Sequence, residues 1–267
     1  MCGSNEQSLL YLWNLRTLYI GPLFEEANII IPAAATLIVA LEDDMKMKSR
    51  HSDQLVRTRV ALLPPGVAFG AETGESLIAN LYLDPVGRDL QCLKPRMRAC
   101  TDGIYHAAEN EQELIAAFRD IHQQAPAPAD TYRIMNEAVF SALPASFHHE
   151  VDPRIWQAID YVKTHAIDNV SSETLADHVG MSEPQLRRAF KQATGIPLRR
   201  NRRWHRLFVT ATMLATGMTL TDAALIAGFS DSSHFNHAFR EMTGMKPSSL
   251  LRRKENTRIF IGQESGY

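Results

Sequence analysis

The 267-residue sequence predicts an α+β chain with a β-rich N-terminal part, a helical connector and an all-α C-terminal domain holding two helix-turn-helix units. Three observations predict it. Short apolar runs punctuated by turn residues fill the first third of the chain. A stretch near the C-terminus occurs twice, at helical periodicity. Charge is split: residues 1–151 carry 12 Lys/Arg against 19 Asp/Glu (net −7), and residues 152–267 carry 16 against 11 (net +5).

Residues 1–13 read as a short arm without a basic stretch or long apolar run, so they do not form a convincing signal peptide. From Leu15 to Asp84 the pattern is strand-like. Candidate strands are Arg16–Ile20, Ala27–Ile31, Thr36–Leu41, Met45–Lys48, Arg57–Leu63 and Leu77–Leu83, separated by GP, PPG and TG turns. Strands at this spacing favour an antiparallel barrel or sandwich. Pro85–Leu93 reads as a short helix. Glu109–Gln123 is a helix with Leu114, Ile115 and Phe118 on one side. Ala125–Ala129 breaks it. Asp130–Leu143 follows with Asp130 as cap and Ile134, Val139 and Phe140 apolar. These two helices either cap the barrel or pair across a homodimer. The expected domains are 1–107, a connector over 108–145, and 152–255.

Pro144–Asp152 reads as a linker. Its His148, His149 and Glu150 read as solvated rather than metal-binding. Asp152 then caps a helix that opens with Pro153 and buries Ile155, Ile159 and Val162. Ser172 caps the next helix, whose N-terminal N–H groups suit a phosphate.

The duplicated stretch comes next. Ser182–Gly195 (SEPQLRRAFKQATG) and Asp231–Gly244 (DSSHFNHAFREMTG) share Ala189/Ala238, Phe190/Phe239, Thr194/Thr243 and Gly195/Gly244. Upstream, Ala176/Ala224, Gly180/Gly228 and Ser182/Ser230 also match. Leu186, Ala189, Phe190 and Ala193 form one buried stripe; Phe235, Ala238, Phe239 and Met242 form the other. Ser182 and Asp231 read as N-caps, and the two glycines as left-handed stops. In such a unit the second helix enters the major groove. Its outward residues are hydrogen-bonders and cations, the types that read base edges and phosphates. Leu198–Thr216 joins the units. Nineteen residues at 1.5 Å each span roughly 28 Å, near the ~34 Å between successive major-groove faces. His234 and His237 have metal-like spacing but no Cys or acid partners on that helix, so metal is not assigned there.

These residues resemble the AraC/XylS family of transcription regulators, from about Asp152 to Leu251. The resemblance rests on LADHVGMS, LRRAFKQATGIP, Arg206 with Ala211 and Leu214, and AGFSDSSHFNHAFREMTGMKPS. The chain departs from the family at Asn201 and Arg202, where an aromatic followed by Leu is frequent, and at His237, where some members place Arg. The first departure weakens an expected packing contact. The resemblance implies a cupin-like sensor barrel before the connector, and Arg57–Pro85 is similar to that domain. Cupin enzymes hold metal through an HxH pair and a Glu; residues 14–86 contain His51 alone, so no metal or other cofactor is expected. Glu25–Glu26 lies where sensor barrels can carry ligand-contacting groups, or is a solvated turn.

The expected function is sequence-specific binding of double-stranded DNA by a cytoplasmic, non-enzymatic regulator under small-molecule control. RNA polymerase would be a partner if it activates. Expected base contacts are Pro184, Gln185, Arg187, Arg188, Ser232, Ser233, Asn236 and His237. Expected phosphate contacts are Ser172, Lys191, Arg199 and Arg240, with Arg202 or Arg203 as additions. The tail run Arg252–Lys254 reads as a solvated end or a further phosphate contact. Two alternatives stand beside this. The N-terminal domain could serve only for dimerisation or a protein partner. Or the chain is a thiol enzyme fused to a DNA-binding domain, using Cys2, Cys92 or Cys100; their odd number and wide spacing exclude a disulfide framework.

Overall fold

The computed structural model describes residues 7–22, 29–74, 76–140, 150–168, 170–245, 247 and 257–263. The N-terminal part is built from β1 (Ser8–Leu12), β2 (Thr17–Pro22), β3 (Thr36–Ala40), β4 (Met45–Ser49), β5 (Leu55–Thr58), β6 (Val60–Leu63), β7 (Phe69–Glu72), β8 (Leu77–Tyr82), β9 (Met97–Thr101) and β10 (Ile104–Ala108). The last described strand, β11 (Thr257–Ile261), returns from the far end of the chain. One sheet has the order β11-β1-β2-β8-β3-β6-β10-β9 and the other β5-β4-β7.

Strand β3 shows why both faces of the large sheet are covered. Leu37 and Val39 join one core; Ile38 and Ala40 join another. The second core lies between the sheets and holds Met45, Met47, Phe69 and Ile78. The first lies under three helices: α1 (Arg88–Leu93), α2 (Glu111–Gln124) and α3 (Pro128–Phe140). Side chains alternate across a strand, so a strand buried on both faces reads as one apolar run. The apolar sides of α2 and α3 meet the sheet through Leu114, Ile115, Phe118, Met135 and Val139.

Four expectations are corrected here. The supposed arm contains β1, which pairs antiparallel with β2 and parallel with β11. Arg57–Leu63 is two strands in two sheets, turning at Arg59, whose guanidinium donates to the Ala40 carbonyl at 3.2 and 3.1 Å. Helix α3 starts at Pro128, inside the expected breaker, after Ala125 takes a left-handed cap at φ 44°. Of Ala27–Ile31, Ile30 forms an isolated bridge to Phe69; residues 27 and 28 lie outside the described residues. So do Cys2, Glu25–Glu26, His148–His149 and Arg252–Lys254.

A buried ion pair ties the start of β2 to the helices. Arg16 donates Nε and Nη2 to both Asp89 oxygens at 2.7 Å, and Nη1 to the Tyr132 hydroxyl at 2.6 Å. Its guanidinium also lies 4.6 Å from the Phe140 ring centroid. Breaking a buried pair leaves an uncompensated charge and costs about 3–5 kcal/mol. Arg16→Leu and Asp89→Leu should each lose about that much in denaturant unfolding. The double variant should lose clearly less than the sum, as a double-mutant cycle would show.

The C-terminal part is helical: α4 (Pro153–Thr164), α5 (Ser172–His178), α6 (Glu183–Thr194), α7 (Leu198–Ala215), α8 (Leu220–Ile226) and α9 (Ser232–Thr243). Asp152 caps α4 as expected, accepting from Arg154 N at 2.9 Å. The cap of α5 is Ser171, one residue earlier than expected; it accepts from Thr174 N, and Ser172 becomes the first helical residue.

Candidate nucleic-acid interface

Helices α5 and α6 form the first unit, α8 and α9 the second. Ser182 opens α6, and its backbone N–H and hydroxyl both donate to Gln185 Oε1 at 3.0 Å. Asp231 opens α9, accepting from His234 N at 2.7 Å. That backbone N–H, with the Ser230 hydroxyl, holds the Asp231 carboxyl below its usual range. Gly195 and Gly244 end the two helices at φ 76° and 75°. Apolar stripes fall inward: Leu186 and Phe190 join one core, Phe235, Ala238 and Met242 another.

The opposite faces carry the expected readers. Pro184, Gln185, Arg187, Arg188 and Lys191 are exposed on α6. Ser233, His237 and Arg240 are exposed on α9, whereas Ser232 and Asn236 are half-buried. Arg187 is held by Glu183 one turn away at 2.5 Å. A groove of about 640 Å³ runs between the units. It brings Ser172, Arg187, Lys191 and Arg199 together with His234 of the second unit; Arg188 and Arg240 are not among its described lining.

Helix α7 joins the units, and several of its cations hold structure. Arg206 donates Nε to Ala166 O at 3.1 Å and Nη1 to Gly228 O at 2.6 Å, bracing the turn after α4 against the turn of the second unit. A Cβ on Gly228 would stand 2.9 Å from the Arg206 guanidinium carbon, at a φ of +87° that side chains rarely adopt. Arg202 donates to Val170 O at 2.6 Å. Arg200 and Arg203 reach Glu241 of α9 at 2.9 and 3.3 Å. Arg202 and Arg203, offered from sequence as added phosphate contacts, therefore have protein partners. Sequence reasoning missed these braces because carbonyl and long-range carboxylate partners leave no local signal.

The N-terminal part touches both units. Ala33 joins the core of the second and Val86 the core of the first. Ile31 N donates to Glu241 O at 2.8 Å, and Arg200 reaches the Ile31 carbonyl. Tyr82 and Trp204 meet with ring centroids 4.8 Å apart. Asn201, the departure noted in the sequence, is buried on the same side of α7 as His205, four residues on.

Residues 175–253 match the family described as Helix-turn-helix domain (HTH_18). This stretch is an AraC/XylS-type domain. The chain is 30% identical over 111 residues to the arabinose operon regulatory protein of Escherichia coli K12, covering 41% of this chain and 38% of that protein. It is 34% identical over 100 residues to the transcriptional activator RhaS of Enterobacter sp. strain 638, covering 37% and 36%. The matched region thus spans little more than a third of those relatives. The fold likeness reaches further. ToxT of Vibrio cholerae O395 superposes with TM-score 0.58 at 12% identity, covering 89% of this chain and 97% of that one. The fold of both parts, the β-rich part included, is therefore shared with that structure.

Cys92 is buried, and burial with the nearby Asp89 carboxylate pushes its thiol up, away from the reactive thiolate. Cys100 is exposed. Among the described residues no His/Cys/Asp/Glu group has metal-holding geometry, and no helix is long and apolar enough to cross a membrane.

His205 is 9% exposed, and burial, aided by the Lys163 charge, lowers its pKa to about 3. An unfolded histidine titrates near 6.5. Below that pH the unfolded chain binds a proton that the folded chain refuses. The neutral ring is therefore tolerated above about pH 6.5, and stability falls as pH drops from there toward 3, by up to about 1.4 kcal/mol per unit. His205→Phe should flatten the fall of unfolding free energy between pH 6.5 and 5 relative to wild type. An unchanged slope would mean that His205 gains its proton in the folded state.

Proposed function

We propose that the protein is a sequence-specific DNA-binding transcription regulator whose N-terminal domain answers to a small molecule. The observation that carries this is the pair of capped helices α6 and α9, presenting hydrogen-bonding and cationic side chains on either side of a basic groove. Base readers are Pro184, Gln185, Arg187 and Arg188 on α6, with Ser232, Ser233, Asn236 and His237 on α9. Ser172, Lys191, Arg199 and Arg240 hold phosphates. Phosphate contacts fix register and give salt dependence; base contacts choose sequence. The protein performs no catalysis, works in the cytoplasm as a homodimer, and engages RNA polymerase where it activates. The domain limits that fit this reading are 1–107, 108–145 and 152–255, with β11 returned to the N-terminal sheet.

Effector control is supported by the contact of the N-terminal part with both units, through Val86 and Ala33. One ToxT structure is of that protein with an unsaturated fatty acid bound. Helices α2 and α3 direct much of their apolar surface at the sheet, so a dimer formed there would use their outward faces.

The two units are unequal. Arg188 and His237 occupy matching positions, and only the guanidinium can bond a guanine through two donors at once. Arg188→Ala should cost about 1–3 kcal/mol of specific binding and relax one base position. His237→Ala should cost less on the same operator at the same salt. Lys191→Ala and Arg199→Ala should weaken all sequences alike and each reduce the salt slope by about 1. Binding isotherms across a salt series measure all four. Equal losses at Arg188 and His237 would show that the two helices dock alike.

A further inference from the structure

The first turn of α9 carries a side chain that stands outside the expected reader set. His234, the third residue of α9, lines the basic groove together with Arg187, Lys191 and Arg199. Its ring is held from two sides. The Phe229 ring meets it at 80°, with centroids 5.4 Å apart. The Ser230 hydroxyl lies 3.2 Å from its Nδ1. In the duplicated stretch His234 stands where Gln185 stands in the first copy.

Ser230 fixes the tautomer of that ring. A serine hydroxyl has one proton, and an ionised carboxylate can only accept. Ser230 therefore donates its proton to Asp231 Oδ2, at 2.9 Å. The contact between Ser230 Oγ and His234 Nδ1 must then take its hydrogen from the ring, so Nδ1–H donates to the hydroxyl oxygen. In the neutral ring the other nitrogen, Nε2, carries no proton and accepts. The rest of the groove has the opposite character. Its arginines and Lys191 only donate, and of the other described lining side chains Ser172 alone can also accept. In the first unit Gln185 Oε1 takes the backbone N–H and hydroxyl of Ser182, so its accepting oxygen serves the helix cap. At one matching position the two units thus differ in hydrogen-bond polarity.

We propose that His234 is a further specificity-determining residue, and that it reads an exocyclic amino group, adenine N6 or cytosine N4, in the major groove faced by the second unit. Phosphate oxygens only accept, so an accepting Nε2 has no partner on the DNA backbone. The major-groove donors on base edges are those two amino groups. The N-terminal residues of a recognition helix are the ones that meet base edges, and His234 lies in the first turn of α9. Ser230 is then a positioning residue, which acts on DNA through the tautomer and orientation of the ring. This role for His234 rests on the regulator reading above and deepens it, by giving the second unit a preference for adenine or cytosine at one position.

The test uses the full-length protein and an operator selected from a random pool. Each adenine and cytosine of the protected region is replaced in turn by its analogue lacking the amino group, purine for adenine and 2-pyrimidinone for cytosine. At one position in the second unit's major groove, loss of the amino group should weaken wild-type binding about three- to tenfold. His234→Ala should bind the two operators alike. Ser230→Ala should shrink the wild-type preference at that position and leave the salt slope as it was, which a merely structural role would not do. Both side chains are exposed, so neither variant opens a cavity in the core. The role of His234 is overturned if no amino deletion distinguishes wild type from His234→Ala. It is also overturned if His234→Ala weakens every sequence alike and lowers the salt slope by about 1, the mark of a phosphate contact. A full preference in Ser230→Ala overturns the positioning by Ser230. Absence of any sequence-specific binding overturns the regulator reading and this role with it; specific binding that ignores the amino groups overturns this role alone.

Discussion

Glu241, near the end of α9, is where three parts of the chain converge. Its carboxylate takes Arg200 and Arg203 from α7, and its backbone carbonyl takes Ile31 N from the N-terminal part. All three side chains are roughly four-fifths buried, at 17–23% exposure. Charges so far from water are held by partners, and removing one strands the rest. This cluster fixes the second reading helix against α7 and ties both to the segment that precedes β3. Arg206 likewise ties α7 to the turn after α4 and to the turn of the second unit, through Ala166 and Gly228. The spacing of α6 and α9 thus depends on α7 acting as a strut. Its 18 residues span roughly 27 Å at 1.5 Å each.

That arrangement changes what the cations mean. Eight Lys/Arg lie between Glu183 and Arg206. Arg200, Arg202, Arg203 and Arg206 are bound to protein carbonyls or to Glu241, and are half-buried. Arg187, Arg188, Lys191 and Arg199 are exposed. Charge density along a sequence locates a DNA-facing segment, but three-dimensional partners decide which cations remain for phosphates.

The local signals were legible because they act over a few residues. The caps Ser182 and Asp231, the left-handed Gly195 and Gly244, and the buried stripes all follow from spacing alone. The β-rich part was legible where burial on both faces gives an apolar run, as in Leu77–Tyr82. It was not legible at β9 and β10, whose half-buried or exposed residues include Arg98, His106 and Cys100. Nor could β1 or β11 be read: their pairing joins positions at opposite ends of the chain, and Tyr11 stacks on Phe260 at 4.5 Å. The candidate interface was legible as two helix faces. The part played by His234 was not, since Ser230 meets its Nδ1 only once the turn before α9 is folded. Asn201 stood out as a departure from the family pattern, and the structure buries it on α7.

The central claim is that a rigid α7 sets two reading helices on successive major-groove faces of one duplex. Footprinting and methylation interference of the full-length protein, on DNA selected from a random pool, test it most directly. The account predicts two protected major-groove patches on the same face of the duplex, centred about 10–10.5 bp apart. Inserting about half a turn of DNA between them should weaken binding far more than substituting bases there. One patch alone, or two patches whose separation can vary freely, would contradict it.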